Sequence, residues 1–152
     1  MDVPTPRPPP VLAVDTNVLV GHTLSQKGRV LLRDVRFRLS ITDYTFAECR
    51  RHIRRRVRER AQAESFTSEQ ERGLLFLATS IAEETTTRVF LDEYAVYEQE
   101  ARRRIPHDPD DWHTAALALA YGAAIWTEDK HFWGCGIDVW TTERLLSHLT
   151  AM

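Results

Sequence analysis

Two short apolar segments constrain the fold of this chain more than any other feature. They read VLAVD at 11–15 and AAIWT at 123–127, and polar residues stand only at their ends. Because the apolar side chains do not alternate with polar ones, both faces of each strand must be covered, as they are in a parallel sheet flanked by helices. We therefore expect these segments to be central strands of such a sheet.

Patterns of apolar residues elsewhere in the chain predict helices between further strands. The predicted strands lie at 37–42, 88–91 and 137–141, and the predicted helices at 25–33, 43–60, 68–84, 92–104, 108–121 and 142–149. Ser68 is the predicted N-cap of its helix because Glu71 follows three residues later. Gly122 is expected to end the helix at 108–121. Strands that alternate with helices predict the α/β class, as a three-layer α/β/α sandwich around a central, mostly parallel sheet.

The length of 152 residues fits a single domain with its own core. We expect that domain over 11–150, preceded by a proline-rich tail at 1–10 that is disordered or lies on the surface. The tail lacks the apolar segment of a secretory signal, and no apolar run reaches the roughly 18 residues of a membrane span. Cys49 and Cys135 lack metal-binding spacing, which favours a reducing, cytoplasmic location.

One segment is basic although the whole chain carries a net charge of −2. Residues 27–60 contain twelve Lys and Arg residues against four Asp and Glu residues. Arg51, Arg55 and Arg58 share the face of the predicted helix at 43–60 that lies opposite its apolar stripe. Two explanations remain open, because an arginine face can bind phosphates and an exposed helix face is commonly charged in any case.

Acidic side chains stand at the ends of both central strands. Asp15 ends the first strand, Asp129 follows the second, and Asp111 lies in the first turn of the helix before it. The carboxyl ends of parallel strands meet at one edge of a sheet, where ligand sites form. Carboxylates that converge there must be protonated or bind a cation, and oxygen ligands favour Mg²⁺ or Mn²⁺.

Each acid also has a purely structural explanation. The sequence DPDD at 108–111 is typical of a helix start, and DTN at 15–17 fits a turn followed by a helix cap. Glu48 lies nearly opposite the apolar stripe of its helix, where a solvated glutamate is the ordinary expectation. The hypothesis of a metal site therefore depends on the set of acids and not on any single one.

The order and spacing of this set resemble the PIN-domain family of metal-dependent nucleases. From Asp111 onward, two alanines, Gly122 and the T-x-D pattern of Thr127 and Asp129 resemble the signature of the family's C-terminal half. VDTNVL resembles its opening strand, and ITDYTFAECRRHI resembles the segment that carries its helical glutamate. The likeness extends from residue 11 to about 149.

The resemblance implies a site and a reaction. Asp15, Glu48, Asp111 and Asp129 would hold one or two Mg²⁺ or Mn²⁺ ions, and a metal-activated water would hydrolyse an RNA phosphodiester. The expected supporting residues are Thr16, Asn17, Asp108 and Thr127. Small members of the family resemble the toxin ribonucleases of toxin–antitoxin pairs, which dimerise and are inhibited by a small partner. The implied partners are thus an RNA substrate, an antitoxin protein and a second copy of the chain, without a membrane.

Two other functions are compatible with the same fold. A catalytically inactive member would bind RNA without cutting it, if the four acids do not all reach a metal. A phosphotransferase with Asp15 as nucleophile would need a second aspartate where this chain has Asn17. We assign Trp133 and His131 to the C-terminal core and not to base stacking.

Overall fold

The computed structural model describes residues 10–151, so all of the predicted tail except Pro10 lies outside the described residues. A five-stranded sheet forms its centre. The strands are β1 Val11–Val14, β2 Arg38–Thr42, β3 Thr86–Val89, β4 Ala124–Trp126 and β5 Val139–Trp140. They lie in the order β3-β2-β1-β4-β5, and every neighbouring pair is parallel. The two segments with continuous apolar character are β1 and β4, which lie side by side as predicted.

Helices cover both faces of the sheet. They are α1 Thr16–Thr23, α2 Gln26–Leu32, α3 Asp43–Ala63, α4 Ser68–Thr85, α5 Leu91–Tyr94, α6 Glu98–Arg104, α7 Trp112–Tyr121 and α8 Thr142–Ala151. Short 3₁₀ turns lie at Ala95–Tyr97 and Lys130–Phe132. The predicted three-layer α/β/α class is therefore confirmed. Among the described residues, no helix is both long and apolar enough to cross a membrane.

Successive residues of β1 contribute to two different cores. Leu12 and Val14 belong to the cluster formed with α1 to α4 and α8, whereas Ala13 belongs to the cluster formed with α5, α6 and α7. Since side chains alternate across a strand, a strand covered on both faces must be apolar at every position. Cys49 and Cys135 are free and buried in these cores. The cytoplasmic location stays a prediction.

The register of β1 against β4 brings their ends together. Val14 is paired with Trp126, and the backbone N–H of Asp15 donates to the carbonyl of Trp126 at 3.1 Å. The next residue on each strand, Asp15 and Thr127, therefore emerges at the same edge. The end of β2, at Thr42, also lies at this carboxyl edge because all strands are parallel.

The structure differs from the sequence predictions in an added helix, in the N-cap of α4 and in the start of α7. The chain after β1 forms the unpredicted helix α1, with Asp15 as its N-cap. The cap of α4 is Thr67 and not Ser68, since Thr67 and Gln70 make both hydrogen bonds of a capping box, at 2.9 and 3.1 Å. Both pairs fit the capping pattern, and the sequence alone did not distinguish them.

The helix predicted at 108–121 begins only at Trp112. The carboxylate of Asp108 accepts a hydrogen bond of 2.8 Å from the backbone of Asp110, which closes a turn in place of the first helical turn. Asp111 is the residue before the helix and makes no side-chain cap hydrogen bond. Gly122 ends the helix in the left-handed conformation (φ +60°), as predicted.

Candidate metal centre

Asp15 is held in place by the two elements that it joins. Its Oδ1 accepts a hydrogen bond of 2.8 Å from the backbone of Thr16, and its Oδ2 accepts one of 2.7 Å from the hydroxyl of Thr127. The residue is only 9% exposed. Burial raises the pKa of Asp15, although both hydrogen bonds act in the opposite direction. The carboxylate therefore has a fixed orientation at the edge of the sheet.

Thr127 also connects Asp15 with Asp129. Its hydroxyl oxygen accepts a hydrogen bond of 2.9 Å from the backbone N–H of Asp129, and the same hydroxyl donates a hydrogen bond to Asp15. Asp129 is half-buried at the start of the 3₁₀ turn, and its negative charge contributes to the raised pKa of Asp15. One buried hydroxyl thus sets the relative position of two carboxylates.

Asp111 has a carboxylate oxygen that is buried without a partner. Among the buried side-chain oxygen and nitrogen atoms of residues 10–151, only its Oδ2 makes no hydrogen bond. The pKa of Asp111 is raised to about 7. Burial is the largest cause, and the negative charges of Asp108, Asp15, Asp129 and Glu48 add to it. Such an unpaired atom is unfavourable by about 1 to 3 kcal/mol unless another group satisfies it. A cation is the partner that this charge environment favours.

Asp111, Asp129 and His131 form a compact set of ligand atoms. Each offers one atom, and the three atoms lie within 4.8 Å of one another. Asp15 and Glu48 lie outside this set, although both are close enough to raise the pKa of Asp111. The four predicted acids therefore lie around one crevice at the carboxyl edge of the sheet. Their oxygen atoms suit a hard divalent cation such as Mg²⁺ or Mn²⁺.

His131 belongs to the site although the sequence predicts it in the core. Its side chain is exposed, and its Nδ1 lies 3.4 Å from Asp129 Oδ1. The same oxygen accepts a hydrogen bond of 2.9 Å from the backbone of His131. The spacing Asp129-x-His131 in a loop after a central strand is the sequence signal that could have identified it.

The core position predicted for Trp133 is also wrong. It is 55% exposed, beside Lys130, whose Nζ lies 6.0 Å from the centre of its ring. The 3₁₀ turn buries Phe132, and the residue that follows it leaves the core. A residue next to a buried aromatic need not be buried itself, because the turn sends successive side chains in different directions.

Glu48 faces the crevice from α3. It is half-buried, which differs from the solvated position expected for a helix face opposite the apolar stripe. Burial raises its pKa, His52 lowers it, and the negative charges of Asp110 and Asp15 raise it further. Glu48 is therefore close enough to Asp15 and Asp111 for their charges to interact.

The supporting residues differ in how they contact the acids. Thr16 is buried and contributes its backbone N–H to Asp15, whereas the exposed side chain of Asn17 makes no hydrogen bond with a described acid. Asp108 is half-buried, and its charge contributes to the raised pKa of both Asp15 and Asp111. It reaches the crevice from the turn before α7 and not, as predicted, from the same helix face as Asp111.

The basic face of α3 begins beside the crevice. Arg51, Arg55 and Arg58 are exposed, and the positive charge of Arg51 lowers the pKa of Glu48. Arg55 lies 3.9 Å from Glu59 in an exposed ion pair. Among residues 10–151, neither Arg51 nor Arg58 forms an ion pair. Guanidinium groups next to the acids would reduce the repulsion between the crevice and a phosphate backbone.

Comparison with known proteins identifies a family and related solved structures. A family model described as PIN domain matches residues 13–150. The crystal structure of PAE2754 from Pyrobaculum aerophilum is similar with a TM-score of 0.65, at 16% sequence identity, over 95% of this chain and 97% of that chain. At this identity the likeness shows the fold alone. No curated protein matches the chain.

Proposed function

Since this chain belongs to the PIN-domain family, whose members are generally metal-dependent nucleases, we propose that it is a divalent-metal-dependent endoribonuclease. The observation that carries the proposal is the buried, unpartnered Oδ2 of Asp111 among four further acids. A cluster of this kind has no evident structural purpose, because burial and the neighbouring negative charges raise the pKa of Asp15, Glu48 and Asp111. It is the environment that a catalytic divalent cation requires.

The residues that would hold the cation are Asp111 and Asp129, with Asp15 and Glu48 on the sides of the crevice and His131 at its rim. Their oxygen-rich set fits Mg²⁺ or Mn²⁺. When bound, such an ion supplies Lewis acidity that activates a water molecule and neutralises charge on the scissile phosphate. Thr127 acts as a positioning residue, because it holds Asp15 directly and Asp129 through its backbone.

The finer proposal concerns the partners and the biological role. We infer a single nuclease domain over 11–150 that acts on RNA as the toxin of a toxin–antitoxin pair, with an antitoxin protein and a second copy of the chain as partners. The support is the resemblance of the chain to small single-domain members of the family. Expression of the protein in bacterial cells should then stop growth, and an Asp15→Asn variant expressed to the same level should not.

The first test is cleavage of a mixed RNA pool by the purified protein in Mg²⁺ or Mn²⁺. EDTA and Asp15→Asn should each abolish cleavage, and asparagine can still accept the hydrogen bond from Thr16 that caps α1. Asp138→Asn is the matched control, because Asp138 is an exposed acid before β5, at the opposite edge of the sheet. RNA binding that survives EDTA, without cleavage in either metal, would replace the enzyme by an inactive RNA-binding module.

A further inference from the structure

Four side chains form a stacked column beside the metal centre. The Arg102 guanidinium lies 5.0 Å from the centre of the Trp112 ring, and Trp112 stacks on His113 at 3.9 Å. His113 stacks in turn on Tyr44 at 3.9 Å, with the two ring planes only 6° apart. Trp112 and His113 are buried, whereas the two ends of the column, Arg102 and Tyr44, are exposed.

Hydrogen bonds hold this column in one position. The Tyr44 hydroxyl donates to Asp110 Oδ1 at 2.9 Å. Nδ1 of His113 shares a hydrogen bond of 2.8 Å with the hydroxyl of the buried Tyr94, which also donates to Asp43 Oδ1 at 3.3 Å. The Tyr44 ring is therefore fixed at its hydroxyl and across one face. A rigid aromatic surface loses little conformational freedom when a ligand stacks on it.

The free face of Tyr44 remains available. Tyr44 is 38% exposed, His113 stacks on one face of its ring, and no other aromatic ring or cation among residues 10–151 stacks on the opposite face. Its hydroxyl is bonded to the residue next to Asp111, the acid with the unpartnered oxygen. The Tyr44 ring, which is the aromatic platform of this surface, thus lies at the border of the crevice.

Tyr44 also lies in line with the basic face of α3. Tyr44, Glu48 and Arg51 are separated by four and three residues, which puts them on one side of a helix. The charges of Glu48 and Arg51 both act on the Tyr44 hydroxyl. Arg55 continues the line one turn further on. An aromatic platform, a metal-binding acid and a cationic side chain therefore follow one another along a single helix face.

We propose that the free face of the Tyr44 ring stacks on a nucleobase of a single-stranded RNA substrate while Arg51 and Arg55 contact neighbouring phosphates. This inference rests on the proposed function and adds a subsite to it. Stacking tolerates every base, since each base has a π face, whereas the arginines bind the backbone. The subsite would therefore require an unpaired nucleotide without reading its identity.

The first experiment measures binding of a short, fluorescein-labelled single-stranded RNA by fluorescence anisotropy in Mg²⁺. All variants carry Asp15→Asn, so that the RNA stays intact under the proposed function. Tyr44→Leu should weaken binding about 5- to 150-fold, the range expected for loss of one base–aromatic stack. Tyr44→Phe keeps the ring and should bind nearly as well as the parent.

Tyr121→Leu is the matched control. Tyr121 is also exposed and also donates to a carboxylate, Glu93, at 3.0 Å. It lies at the other end of α7, roughly 15 Å along the helix from Asp111. Its replacement should leave RNA binding unchanged. Equal losses for Tyr121→Leu and Tyr44→Leu would overturn the inference.

The second experiment does not depend on how well Tyr44→Leu folds. Abasic sites are introduced one at a time along the RNA, and binding is measured with the Tyr44 parent and with Tyr44→Leu. At one position the abasic site should weaken binding to the parent by the same factor as Tyr44→Leu weakens binding of the intact RNA. The same abasic site should have no effect on binding to Tyr44→Leu. Equal abasic losses in both proteins, or none in the parent, overturn the inference and leave metal-dependent cleavage untouched. Failure of the wild type both to bind and to cleave RNA overturns the proposed function as well.

Discussion

The hydroxyl of Thr127 donates a hydrogen bond of 2.7 Å to Asp15 Oδ2 and accepts one of 2.9 Å from the backbone of Asp129. It therefore links the ends of the two central strands, β1 and β4, and sets the spacing of two acids that are far apart in sequence. The hydroxyl is buried and both of its hydrogen bonds are internal. Its contribution can consequently be tested without changing any acid.

Thr127→Val should impair cleavage and shift its pH dependence. The variant preserves the shape of the side chain but leaves a buried carboxylate oxygen of Asp15 without its donor, a loss of about 1 to 3 kcal/mol in stability. Because the Thr127 hydrogen bond lowers the pKa of Asp15, its removal should move the acid limb of the pH–rate profile to higher pH. Thr127→Ser restores the hydroxyl and should restore the profile. An unshifted acid limb in Thr127→Val would contradict the positioning role.

The metal-free protein should lose stability through Asp111 as the pH rises. The pKa of Asp111 is raised from 3.8 to about 7, chiefly by burial, so between these values the folded state keeps a proton that the unfolded state has released. The resulting destabilisation is absent below pH 3.8 and complete above about pH 7. Urea unfolding in EDTA should show Asp111→Asn gaining stability relative to the wild type between about pH 4 and about pH 8. Asp138→Asn should show no such gain, and parallel profiles for wild type and Asp111→Asn would refute the prediction.

His131 should contribute to the affinity for Mn²⁺ more than to that for Mg²⁺. Imidazole is a better ligand for Mn²⁺ than for the harder Mg²⁺, and the His131 ring lies 3.4 Å from an oxygen of Asp129. Titration calorimetry of His131→Ala should show Mn²⁺ binding weakened about tenfold, a change of the size seen when a group near a metal ligand is removed. His107→Ala is the control, because the His107 ring lies 6.0 Å from that of His131 and outside the ligand set. Equal losses for the two metals would contradict this preference, and no loss for either metal would exclude His131 as a ligand.

Arg51 and Arg58 should contribute charge to RNA binding without base preference. Each phosphate contact to a single strand adds about 0.7 to the slope of log K against log salt concentration. Arg51→Ala and Arg58→Ala should each reduce that slope by about this amount, with equal effects on RNAs of different sequence. Arg33→Ala is the matched control, since Arg33 caps α2 before β2, at the opposite edge of the sheet, and is paired with Glu84 at 3.1 Å. An unchanged slope in both Arg51→Ala and Arg58→Ala would show that the RNA binds to a surface other than this face of α3.

The resemblance to the PIN-domain family is confirmed by the family model over 13–150. The quartet of acids stays a prediction as a set of catalytic residues, although Asp15, Glu48, Asp111 and Asp129 surround one crevice. The local errors have a common cause. Two overlapping patterns, Thr67 with Gln70 and Ser68 with Glu71, fit the same capping rule, and residues 108–111 fit either a helix start or a turn.

The sequence by itself determined the parallel sheet and the edge at which the acids appear. Unbroken apolar character in β1 and β4 requires cover on both faces, which is a local property that can be read along the chain. Only the tertiary structure decided which atoms meet. Thr127 reaches Asp15 across 112 residues, His131 joins Asp111 and Asp129, and Tyr44 stacks on His113. These contacts depend on strand register and on the packing of α3 against α7, and no local pattern specifies either.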